Sequence, residues 1–167
     1  NTGLLGAINV QRGPLILGNA NAAGSTKIIL DSNSPAAGAL QLGNFSIANN
    51  IEFVSGASIG VATGNSATIT GTLSSTTTTT LTKVGAGSLT LTNANTYTGN
   101  TNVNAGTLAV NNTTGSGTGT GAVTVNNAGT RLTGSGTISG ATTINAGAIH
   151  NAGNGGVGSQ AFGAALT

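Results

Sequence analysis

One short phrase, a glycine turn leading into an alternating apolar strand, recurs along this 167-residue chain and restricts it to repetitive β architecture. It appears at Gly38-Ala39-Leu40, Gly56-Ala57-Ser58-Ile59, Gly71-Thr72-Leu73, Gly87-Ser88-Leu89, Gly106-Thr107-Leu108, Gly129-Thr130-Arg131-Leu132 and Gly147-Ala148-Ile149. The glycines are spaced by 18, 15, 16, 19, 23 and 18 residues. Toward the C-terminus the wording is nearly constant: Val103-Asn104-Ala105-Gly106, Val125-Asn126-Asn127-Ala128-Gly129, Ile144-Asn145-Ala146-Gly147. Glycine supplies the left-handed turn, and asparagine tolerates it better than most residues.

Between the turns the period is two, as in Ser88-Leu89-Thr90-Leu91-Thr92, Thr107-Leu108-Ala109-Val110 and Ala122-Val123-Thr124-Val125. That alternation puts one face inward and one outward. No segment carries a helical stripe. The spacing predicts an all-β fold, a right-handed parallel β-helix of about eight coils rising about 4.8 Å each. An antiparallel sandwich with glycine-rich turns is the alternative, but sandwiches seldom repeat one turn phrase. Residues 1–167 read as a single domain, a segment of a longer chain or polymer.

Composition agrees with thin stacked layers. Aromatic residues make up 2% of the chain and Cys, Met and Trp are absent, so a thick core is unavailable. The 37% of hydrophobic residues in alternating order argue against disorder. Stacked Asn or Thr side chains at equivalent positions are expected to form hydrogen-bonded ladders. The Thr76–Thr80 run reads as a strand, and Gly115–Gly121 as a loop protruding from a coil.

Residues 81–110 carry a more specific pattern. Thr82 to Leu91 read Thr-Lys-Val-Gly-Ala-Gly-Ser-Leu-Thr-Leu, Asn95 to Gly99 read Asn-Thr-Tyr-Thr-Gly, and Val103 to Leu108 read Val-Asn-Ala-Gly-Thr-Leu. This stretch resembles the autotransporter-associated β-strand repeat, also called the passenger-associated transport repeat. Asn100 and Asn102 depart from its usual Gly and Thr. Residues 111–149 read like the coils that follow such a repeat. The resemblance implies a secreted bacterial surface protein with a β-helical stalk. Nothing in the chain resembles a membrane-embedded translocator barrel.

The residues needed for catalysis are scarce. Lyases and hydrolases built on β-helices use clustered carboxylates with cations, and this chain has only Asp31 and Glu52. About one coil separates them. Asp31 ends an apolar strand before Ser32-Asn33-Ser34-Pro35, which favours a structural capping role. His150 is the sole histidine, without a metal-ligating partner, and reads as a surface residue in a turn. Tyr97, Phe45, Phe53 and Phe162 are too dispersed for a sugar-stacking platform, and Tyr97 belongs to the repeat motif. No catalytic, cofactor-binding or metal residue is assigned, no cofactor is expected, and the chain is expected not to be an enzyme.

The cations Arg12, Lys27, Lys83 and Arg131 are too spread out to follow a nucleic acid, and no run approaches the ~18 apolar residues of a membrane span. The chain starts Asn-Thr-Gly, without Met or signal peptide, and reads as processed or as an interior piece. Leu15-Ile16-Leu17 and Ala164-Ala165-Leu166-Thr167 read like coils in progress, so self-association or continuation of the same solenoid is the expected partnership. Two functions follow. One is a building element of an extracellular bacterial fibre, sheath or stalk; the other is an adhesin passenger touching host cells or glycans.

Overall fold

The computed structural model describes residues 6–31, 39–153 and 159–167. Within them the chain forms nineteen short strands and no helix. The first half contains β1 (Ile8–Val10), β2 (Leu15–Ile16), β3 (Ile28–Asp31), β4 (Leu40–Leu42), β5 (Ser46–Ile47), β6 (Ile51–Ser55), β7 (Ala57–Val61), β8 (Ser66–Ile69) and β9 (Leu73–Ser75). Next come β10 (Leu81–Val84), β11 (Ser88–Leu91), β12 (Thr101–Val103), β13 (Thr107–Val110) and β14 (Val123–Val125). The last five are β15 (Arg131–Gly134), β16 (Thr137–Ile138), β17 (Thr142–Ile144), β18 (Ile149–Ala152) and β19 (Ala161–Phe162).

These strands stack into long parallel ladders, each strand pairing with equivalents one turn away. One ladder runs β2-β4-β7-β10-β12-β14-β17, a second β5-β8-β11-β13-β15-β18, and a third begins as β1-β3-β6-β9. Partners lie 18 to 25 residues apart, as with Leu132 beside His150 and Leu15 beside Leu40. The parallel pairing of every strand pair removes the sandwich alternative: the chain is a parallel β-solenoid. The described strands make about six turns.

The expected count of eight is therefore not reached among the described residues. The reason lies in the glycine phrases. Those at Gly87, Gly106, Gly129 and Gly147 all introduce strands of the second ladder, one per turn. Gly56 instead precedes β7 of the first ladder and Gly71 precedes β9 of the third. Counting them as equivalent splits single turns in two. Gly38, like the turn read at Ser32–Pro35, lies outside the described residues.

The third side does not end at β9. Thr96 donates its backbone N–H to Leu73 O (2.9 Å), Asn95 to Ser116 O (2.8 Å) and Gly117 to Thr137 O (2.9 Å). β16 then pairs with β19. The segments around 95 and 116 are thus irregular rungs that carry this side from β9 to β19. This corrects the reading of Gly115–Gly121 as a protruding loop. Ser116 to Gly119 are buried, while Thr113 to Gly115 stay exposed. Glycine permits it, since a Cβ at Gly119 would strike the carbonyl of Tyr97 in the turn beside it. The Thr76–Thr80 run is likewise a bend and not a strand. It forms a corner tied to the previous turn by the Thr77 and Thr79 hydroxyls, which donate to Val54 O at 2.9 and 3.2 Å.

Inward residues align in columns, which explains the small side chains. Ile8, Ile28, Ile51 and Leu73 stack on the third side. Ile47, Ile69, Leu91 and Val110 stack on the second. At each rung a side chain has its neighbours about 4.8 Å above and below, so a column of similar residues packs without voids. Phe53 and Tyr97 pack together in the interior, edge to face with ring centroids 5.5 Å apart.

Candidate functional site

Asp31 and Glu52 fall on neighbouring strands, but a register shift sets Asp31 beside Ser55, three residues beyond Glu52. They lie on β3 and β6 of one ladder, where Glu52 is register partner of Ile29, two residues before Asp31. Alternation turns both outward on the same face. Each has a structural partner. Ser55 donates its hydroxyl to Asp31 Oδ1 at 3.0 Å, and Lys27 Nζ lies 2.7 Å from Glu52 Oε2. Half-exposed ion pairs of this sort contribute little to stability.

His150 is misread by sequence alone. It is no turn residue: it sits in β18 as register partner of Leu132, extending the inward column Ala67, Leu89, Leu108, Leu132. Its ring meets Phe162 edge to face, with centroids 5.2 Å apart, and its Nε2 is 2.9 Å from Gln160 Oε1. Register with Leu132 overrides side-chain hydropathy, because shifting by one residue would turn the whole strand over.

The phenylalanines and Tyr97 also turn away from solvent. Phe53 and Tyr97 are fully buried, and Phe45 and Phe162 pack partly against the core. Tyr97 shares a 2.7 Å hydrogen bond with the Thr101 hydroxyl. Its role is therefore one of packing. Among the described residues no group of three or more His, Asp or Glu side chains stands close enough to hold a metal ion.

The outward amides of the first ladder are occupied by one another. Asn126 Nδ2 donates to Asn104 Oδ1 at 2.7 Å, and Asn145 Nδ2 donates to Asn126 Oδ1 at 3.1 Å. The three asparagines head the three nearly identical turn phrases, so the expected ladder forms there. Thr143 and Thr167 hydroxyls continue the habit at 3.2 Å. Chemically, this surface bonds turn to turn.

Two ionisable side chains are buried. Tyr97 has its phenol pushed up by desolvation, partly offset by the Thr101 hydroxyl. Lys83 has its ammonium pulled down to about 8 by desolvation. The signs are opposite. Between pH 8 and the ordinary lysine value of about 10.4, the unfolded chain holds more protons, so Lys83 makes stability rise with pH. Above about pH 10 the unfolded phenol ionises while Tyr97 does not, so stability falls. Thermal midpoints are therefore expected to climb from pH 7.5 toward 10 and drop beyond it. A profile flat across that range would show that Lys83 releases its proton like an exposed lysine.

The family model described as the passenger-associated-transport-repeat matches residues 81–110 and again 131–149. The first match spans β10 to β13, and the second runs from β15 to the first residue of β18. The second match was foreshadowed by Ile144-Asn145-Ala146-Gly147, which repeats the turn phrase of the first. No curated protein and no solved structure has significant similarity to the chain.

Proposed function

We propose that this autotransporter-associated β-helix repeat protein is a structural element of a secreted bacterial surface passenger: a length of stiff stalk, without catalytic activity. The carrying observation is that the polar side chains are used to hold successive turns together. Asn104, Asn126 and Asn145 bond side chain to side chain along the rod, and Thr77, Thr79, Asn49 and Asn95 bond to the backbone of the neighbouring turn. A ladder of this kind resists bending and leaves few converging groups for a substrate. Asp31, Glu52 and His150 each have a neighbour that supports a packing or capping role. Among the described residues no helix is long and apolar enough to cross a membrane.

About six turns at about 4.8 Å make a rod of roughly 30 Å. End-to-end association of such rods would lengthen the stalk into a fibre. Electron microscopy of the purified protein over a concentration series tests this. Rods of constant width that lengthen with concentration are expected, and particles of one fixed length throughout would rule out self-association. The adhesin alternative is tested at Thr113–Gly115, the exposed turn that leads into the glycine-rich stretch. Cell or glycan binding that is lost on replacing those residues would overturn the purely structural reading.

A further inference from the structure

Lys83 occupies a position where an apolar residue is expected. The inward column of the first ladder reads Leu15, Leu40, Ile59, Lys83, Val103, Val125, Ile144. Lys83 has no exposed surface. Its Nζ donates to Val84 O at 2.9 Å, Gly85 O at 2.7 Å and Ala105 O at 3.1 Å. An ammonium has three protons, and three carbonyls receive them.

Those carbonyls belong to two successive corners. Val84 and Gly85 turn the chain from β10 into β11, whereas Ala105 turns it from β12 into β13. Gly85 is left-handed at φ +75°, and a Cβ there would strike Val61 O. The corner is therefore tight and its carbonyls turn toward the interior, away from water. Gly106, at φ +67°, repeats the arrangement one turn on, where a Cβ would strike Gly87 O. Buried carbonyls without a donor are costly.

We propose that the carbonyls of Val84, Gly85 and Ala105 form a cradle for one ammonium-type donor, which Lys83 fills from inside the solenoid, locking the turn of β10–β11 to that of β12–β13. The cradle is selective for a group with several N–H donors on one small nitrogen. An arginine fork is too broad, and an alkyl chain of the same length supplies no donor. The run Thr82-Lys83-Val84-Gly85-Ala86-Gly87 then has a physical meaning. The glycines make the corner tight and the lysine satisfies it.

The test combines Lys83→Met, Lys83→Ala and added amines. Lys83→Met keeps the column filled but removes the donors, and its melting midpoint is expected to fall by roughly 5–10 °C. Lys83→Ala is expected to fall at least as far and to be partly restored by methylammonium chloride at pH 7, but not by tetramethylammonium chloride. A Lys83→Met protein as stable as the parent would overturn the proposal, as would equal restoration by both salts or by neither. Should neither variant fold, amine acylation of the unaltered protein decides. Lys27, with 47% of its side chain exposed, is expected to react while Lys83 stays protected until unfolding. Equal rates at the two lysines would refute the cradle.

Discussion

Gly121→Ala is expected to unfold the solenoid or lower its stability by about 3 kcal/mol or more. Gly99, Gly121 and Gly140 stand one above another at the corner that leads into β12, β14 and β17. A Cβ at Gly99 would strike Thr79 O, one at Gly121 would strike Gly99 O, and one at Gly140 would strike Gly121 O. None of the three is left-handed, so the constraint is steric contact and not backbone conformation. Each obstacle is main chain, which cannot rotate away as a side chain would. Relief requires separating two turns, and that breaks the ladder bonds Leu81 N to Asn100 O and Thr101 N to Ala122 O, both 2.8 Å. Gly18→Ala is the control. It has open space where the Cβ would go and no left-handed φ, so its midpoint should stay unchanged or rise slightly. Chemical denaturation of the two variants beside the parent checks the pair, and similar losses would show that the clash relaxes locally.

How much of this was legible follows from which side of the solenoid a residue occupies. The first two sides were readable because β-branched residues alternate there: Val123-Thr124-Val125 points in, out, in. The same rule, trusted over hydropathy, places Lys83 inside, since Leu81 two residues earlier is inside. The third side was not readable. Between β9 and β16 its rungs are built from Asn95-Thr96 and Ser116-Gly117, with no apolar alternation to mark them. Their order comes from contacts 20 or more residues away, to Leu73 and Thr137. The position of His150 was hidden for a related reason. A strand at the last turns takes its register from its partner β15, and nothing local in Ile149-His150-Asn151-Ala152 says which face is buried. As for the site, sequence showed the scarcity of acids, while Lys83 was read only as one of four dispersed cations. The three carbonyls that surround that lysine appear only once two corners are stacked.

Asn95 is the residue that makes an irregular rung possible, and Asn95→Ala is expected to cost about 2–4 kcal/mol. Its side chain is buried and imitates a peptide group. Oδ1 accepts the backbone N–H of Leu73 at 2.8 Å, while Nδ2 donates to Gly117 O at 2.6 Å. One amide thus bridges the turn before and the turn after, where regular strand pairing has lapsed. Alanine leaves a buried donor and a buried acceptor unpaired. Asn95→Asp separates the two halves of the role. A carboxylate still accepts from Leu73 N–H but faces Gly117 O with no proton to give, and it is a charge inside the core. At pH 7 this variant should be at least as unstable as Asn95→Ala. Because burial favours the protonated acid, which regains one donor, its stability should recover as pH falls toward 4. Paired urea titrations at pH 7 and pH 4.5 measure the difference. An Asn95→Asp protein with no recovery at the lower pH would mean that Gly117 O finds another donor, and that the bridge stabilises the rung from one side only.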